Sequence, residues 1–168
     1  GREALQRLGL PTRKQEAWRL TDLKRLGAVH ELPLIPADAR NDLPEPPKNG
    51  LRVLLGADRH PLEGVTLPSG IKALKENEIE SLLGRATSHC GCSEDWPVAL
   101  NKSSSQHILA LQISGKVDPL ELVIDARGSG LMATRVLLIL DANAQLELLE
   151  VFRAESGVAH SHLCEILL

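Results

Sequence analysis

The sequence predicts a mainly β protein with an α-helical N-terminal part, its strand region organised as a stacked repeat, or solenoid. Three observations predict it. From His107 onward, five apolar stretches follow one another: His107–Ser114, Leu120–Ala126, Leu131–Asp141, Gln145–Arg153 and Ala159–Leu168. They are separated by turn-forming breakers: Ser114-Gly115, Asp118-Pro119, Arg127-Gly128-Ser129-Gly130, Asp141-Ala142-Asn143-Ala144 and Ser156-Gly157. The stretch centres fall near Leu111, Val123, Leu137, Leu149 and Cys164, so every second centre lies about 26 residues on, inside the range of stacked-repeat folds.

The elements before this region are short. Residues 1–9 carry Ala4, Leu5 and Leu8 and end at Gly9, which reads as a helix. Thr12-Arg13-Lys14-Gln15 fits a capping box and opens a second helix through Trp18. Thr21 or Asp22 can cap a third, carrying Leu23 and Leu26 to Gly27. Residues 33–50 hold Pro33, Pro36, Pro44, Pro46 and Pro47 and close on Asn49-Gly50, an extended linker or loop rather than a packed element. Leu51–Leu55 resumes as a strand, with Val65–Leu67 and Ile71–Leu74 as weaker ones. Asn77–Leu83 reads as a helix stopped by Gly84, Arg85–Ser93 as loop, and Asp95-Trp96-Pro97 as the start of another helix, where proline's missing donor costs nothing.

The expected organisation is an N-terminal α/β region over residues 1–106 and the first coils of the repeat over 107–168. The chain stops inside a strand at Ile166-Leu167-Leu168, with no cap after it. A solenoid needs a cap, and an open apolar edge invites association. The chain is therefore expected to be the front part of a longer protein and to self-associate through residues 159–168. Gly1 in place of Met reads as a processing or tag scar.

Composition narrows the function classes. Aromatic residues are nearly absent, Trp18, Trp96 and Phe152 with no Tyr, which disfavours carbohydrate platforms and single-strand nucleic-acid binding. The net charge of −3 weakens any nucleic-acid role further. The charge is uneven: residues 1–26 hold seven Lys/Arg against three acids, a local surplus of +4 that leaves −7 elsewhere. The plain reading is a solvated helical face, and the alternative is a docking surface for an acidic partner. Three cysteines, Cys90, Cys92 and Cys164, give no disulfide framework and suit a reducing compartment. No membrane span or signal segment is present in these residues, so the cytoplasm or a comparable organelle compartment such as the plastid stroma is expected.

Two groups carry metal-ligating donors. His89-Cys90-Gly91-Cys92 sits in the expected loop, and His160, His162 and Cys164 alternate and so share one strand face. Cys-x-Cys is not the usual spacing of a structural zinc site, and no pattern places the two groups together. The plain reading is reduced thiols in a loop, plus a strand whose inward row includes Cys164, Ile166 and Leu168. Gly128-Ser129-Gly130 lacks the Lys-Ser/Thr of a phosphate loop and precedes a strand, so it reads as a turn. Glu147 and Glu150 fall on opposite strand faces and read as solvent-facing carboxylates. Trp18 and Trp96 read as core or interface anchors, with Trp18 mostly buried. The sequence assigns no catalytic, cofactor-binding or metal residue.

Leu10-Pro11-Thr12-Arg13-Lys14-Gln15-Glu16-Ala17-Trp18-Arg19-Leu20-Thr21-Asp22-Leu23 closely resembles the N-terminal motif of the SufD family, scaffold subunits of the Suf iron–sulfur cluster assembly system. The family pattern runs Pro, a basic pair, an acid, Trp-Arg, an aromatic and Thr-Asp-Leu; Leu20 stands at the aromatic place. The strand Leu51–Leu55, Ala99-Leu100-Asn101, the Asp118-Pro119-Leu120 turn and His162-Leu163-Cys164-Glu165-Ile166 agree in order. The paralogous SufB branch has a different N-terminus. The resemblance implies a right-handed parallel β-helix after a helical N-terminal part. It also implies assembly with SufB and the ATPase SufC into a complex on which nascent clusters are built. In the family, the SufC-binding segment and the cluster-assembly residues lie toward the C-terminus, so no family site residue carries over to a position here. The leading expectation is thus a non-enzymatic scaffold with no cofactor of its own. The competing classes are a small zinc-binding module and a fragment of a β-helix carbohydrate-active enzyme.

Overall fold

The computed structural model describes residues 5, 8–29, 31–35, 43, 45–56 and 58–168. Among them, seven strands form two sheets. The first sheet is all parallel, in the order β1 (Leu51–Leu55), β4 (Leu120–Ala126), β6 (Leu148–Ala154). The second runs β2 (Ile71–Ala73), β3 (Ile108–Ile113), β5 (Gly130–Leu140), β7 (Val158–Leu167), parallel except for β2, which is antiparallel to β3. From β3 onward, consecutive strands alternate between the sheets, and each pairs in parallel with the second strand after it. Ile108 aligns with Arg135, 27 residues on, and Leu120 aligns with Leu148 and Gly130 with Val158, each 28 on. Parallel strands need a long crossover, and here the intervening strand of the other sheet supplies it. The five stretches thus became strands, and those two places apart in order pair as their spacing required.

The inward rows of the two sheets make the main core: Leu109, Leu111 and Ile113 of β3, Leu120, Leu122 and Ile124 of β4, and Met132, Val136 and Leu138 of β5, all fully buried. Each such side chain contributes about 1.5–3 kcal/mol of burial. All of β4 and most of β5 are buried on both faces, which is why their sequences are largely apolar, with the buried polar residues Glu121, Asp125, Thr134 and Arg135 set among them. The outward row of β5 is covered by helix. Leu131 and Ala133 pack with Leu5, Trp96 and Leu100, with Trp18, Leu26 and Val29 at the margin. Trp18 is partly buried there, on a single turn that packs at the edge of this cluster.

That element corrects the second expected helix. Residues Glu16–Trp18 form one 3-10 turn. Only half of the capping box exists: the Gln15 carboxamide accepts from the Thr12 N–H at 2.8 Å. Helix α1 (Leu23–Val29) starts as expected, with Asp22 accepting from the Arg25 N–H at 3.2 Å, but it continues through Gly27. The helix expected over residues 1–9 lies mostly outside the described residues. Val65–Leu67 is not a strand: the Val65 N–H donates to Leu62 in a turn, and both apolar side chains rest half-buried on the main core. The start of the proline-rich segment is packed, contrary to its reading as a free linker. Leu34 bridges Leu131 in parallel, with the Leu131 N–H on the Pro33 carbonyl at 2.8 Å. A Cβ at Gly130 would sit 2.5 Å from that carbonyl, so glycine is required for the approach. Residues 36–42 and 44 lie outside the described set.

Three further helices follow β1: α2 (Glu76–Leu82), α3 (Arg85–His89) and α4 (Trp96–Ser104). Helix α3 replaces the expected loop. Gly84, at φ 86°, turns the chain, and the Glu165 carboxylate of β7 accepts from the Gly84 N–H at 3.1 Å and the Thr87 N–H at 3.5 Å. The helix start is therefore satisfied by a residue about eighty positions away. Asn101 of α4 ties that helix to the second sheet, donating to the Thr134 and Ser161 carbonyls at 2.9 Å each. Among the described residues, no helix is long and apolar enough to cross a membrane.

Candidate functional site

The inward rows change character at the last strand of each sheet. In parallel register Leu122 is followed by Glu150 and Ile124 by Phe152. In the second sheet Met132 is followed by His160, Thr134 by His162 and Val136 by Cys164. Paired residues of neighbouring strands point the same way, so Glu150 and Phe152 on β6 confront His160, His162 and Cys164 on β7. An aliphatic core thus ends in a carboxylate, two imidazoles and a thiol.

These groups are connected. Glu150, His162 and Cys164 each offer a ligand atom, and those atoms lie within 4.8 Å of one another. The His162 Nε2 is 3.0 Å from Glu150 Oε1, and its Nδ1 is 2.8 Å from the hydroxyl of buried Thr134. The Phe152 ring meets His162 edge-on at 5.3 Å and His160 at 5.9 Å. The Cys164 thiol is pushed up to about 12, first by burial and then by the Glu150 carboxylate beside it, which also takes its hydrogen bond. The His160 imidazole is pushed below its ordinary value, first by burial and then by His162, with Asp125 pulling the other way. Both His160 ring nitrogens are buried without a hydrogen-bond partner.

The sequence placed His160, His162 and Cys164 on one face, and the structure agrees. Glu150, read as a solvent-facing carboxylate, is exposed, but its side chain keeps only 30% of its accessibility and pairs in register with Leu122, so it stands in the same row as the core. Residues Leu148 to Val151 alternate too weakly for parity to reveal which row is inward; the register decides it. Cys90 and Cys92 stand apart from this group. Cys90 is exposed beyond α3, and the Cys92 thiol donates to the Thr87 carbonyl at 3.5 Å.

The arrangement disfavours the thiolate form of Cys164. What it offers is a set of nitrogen, oxygen and sulfur donors at the end of a packed core. Comparison with protein-family models, with curated proteins and with solved structures finds no match for this chain.

Proposed function

We propose that this chain belongs to a non-enzymatic scaffold subunit of the SufD type, acting in iron–sulfur cluster assembly with SufB and the SufC ATPase. In this reading the two sheets are the first coils of a right-handed parallel β-helix. Parallel crossovers within one sheet are right-handed in nearly all proteins. One observation carries the reading: strands two apart pair in parallel at an advance of 27 or 28 residues, with the turn that carries Trp18 packed at the edge of the cluster covering β5. This supports the β-helix that the motif's resemblance implies. The basic surplus of residues 1–26 belongs to the helical part, and the partner contacts belong to the part of the family chain that follows these residues.

The test is co-expression with SufB and SufC, the tag on SufC. The full-length protein that carries these residues should be retained in a stable complex. Residues 1–168 alone should show no ATPase activity and no stable hold on SufC. Failure of the full-length protein to be retained would overturn the proposal. Tight retention of residues 1–168 alone would move the SufC site into this part of the chain.

A further inference from the structure

We propose that Glu150, His162 and Cys164 form a binding site for a borderline-soft divalent ion of the Zn2+ class. The inference goes beyond the scaffold role and does not depend on it.

The donor chemistry comes first. A thiol, an imidazole and a carboxylate suit zinc and its transition-metal neighbours, whereas magnesium and calcium take oxygen donors. The donors come from two strands of different sheets, β6 and β7, so the fold holds them and not a flexible loop. Ligand atoms around a tetrahedral zinc stand roughly 3.5 Å apart. The Glu150–His162 contact at 3.0 Å already reaches that spacing, and the set as a whole, within 4.8 Å, needs to contract by about an ångström at its widest.

The orientation of His162 is the second argument. A metal-ligating imidazole uses one nitrogen for the ion, while the other is held by a hydrogen bond that fixes ring and tautomer. Thr134 is 3% exposed, and its hydroxyl holds Nδ1 at 2.8 Å, leaving Nε2 toward Glu150 and the cation position. Helix α4 fixes Thr134 in turn, because Asn101 donates to its carbonyl. Phe152 walls the ring on one side. Binding replaces the thiol proton of Cys164, which leaves for solvent, by the metal. Three protein donors leave one tetrahedral position for water or another small ligand.

Cobalt is the probe, since its visible spectrum reports thiolate ligation. Titration of the purified, reduced chain with Co2+ should show one ion per chain and a thiolate-to-cobalt charge-transfer band, both lost on adding Zn2+. Cys164→Ser should remove the band, and the Cys90→Ser/Cys92→Ser variant should keep it. Glu150→Gln, on a partly exposed side chain, preserves shape and should weaken binding at least about tenfold. Thr134→Val removes only the orienting hydroxyl and should weaken it by about 10–100-fold. Circular dichroism establishes that each variant is folded, and Glu150→Gln decides the matter if Cys164→Ser is not. No cobalt bound, a band that depends on Cys90 and Cys92, or a titration unchanged by both Cys164→Ser and Glu150→Gln would overturn the site.

Discussion

Replacing Glu165 by alanine strands a charge inside the protein. The Glu165 side chain is 1% exposed and that of Arg135 is 8%, and their Nη2–Oε1 distance is 2.9 Å. Glu165 also accepts from the Gly84 and Thr87 N–H groups that start α3, so one carboxylate joins β5, β7 and a helix. Breaking a buried pair by removing one partner costs about 3–5 kcal/mol, because the other charge stays behind without its counter-ion. For a chain of this size each kcal/mol lowers the melting temperature by roughly 2–4 °C, so Glu165→Ala should melt roughly 6–20 °C early. Arg135→Met together with Glu165→Ala removes the stranded guanidinium and should recover part of the loss. What remains, about 1–3 kcal/mol, belongs to the helix N–H groups left without an acceptor. Urea unfolding followed by circular dichroism gives all the free energies of the double-mutant cycle. A Glu165→Ala cost below about 1 kcal/mol, or a double variant as unstable as the sum of the single ones, would refute the reasoning.

Three further outcomes are expected. Trp96, 5% exposed, should cost about 3–5 kcal/mol on replacement by alanine, and half-buried Trp18 about 2 kcal/mol; equal costs would contradict the packing at the second cluster. The Asp141 carboxyl is held below its ordinary value, first by Gln112 and then by Ser114. Its folded pKa thus lies below its unfolded one, and the stability it contributes is present above the unfolded value and lost as pH falls through the folded one. Gln112→Ala should raise the value in an NMR titration, and an unchanged titration would contradict the assignment. Strand β7 is the last in its sheet among the described residues, with Ile166 46% exposed, so the chain should self-associate in sedimentation runs and Ile166→Lys should suppress it. A strict monomer at all concentrations would contradict this.

The strands were legible because their physics is local. Apolar stretches closed by Asp118-Pro119 or Arg127-Gly128-Ser129-Gly130 leave few alternatives, and the equal separation of alternate stretches pointed to parallel pairing. The helices near the start were less legible. Thr12 and Gln15 carry the letters of a capping box, but the turn that follows stays short, lying at the margin of the Trp96 cluster. Helix α3 was illegible in its own residues, since the group that caps it, Glu165, comes from β7. The site was half legible. Alternation put His162 and Cys164 together, but Glu150 joins them only through the register of β6 on β4, which no neighbour in sequence encodes.

The most direct test of the proposed role is anaerobic isolation of the full-length protein co-expressed with SufB and SufC, read by stoichiometry and visible absorbance. The account predicts a complex containing all three subunits that carries an iron–sulfur chromophore, diminished when this subunit is left out. SufB and SufC building the same chromophore equally well without it, or no association of the three, would contradict the account.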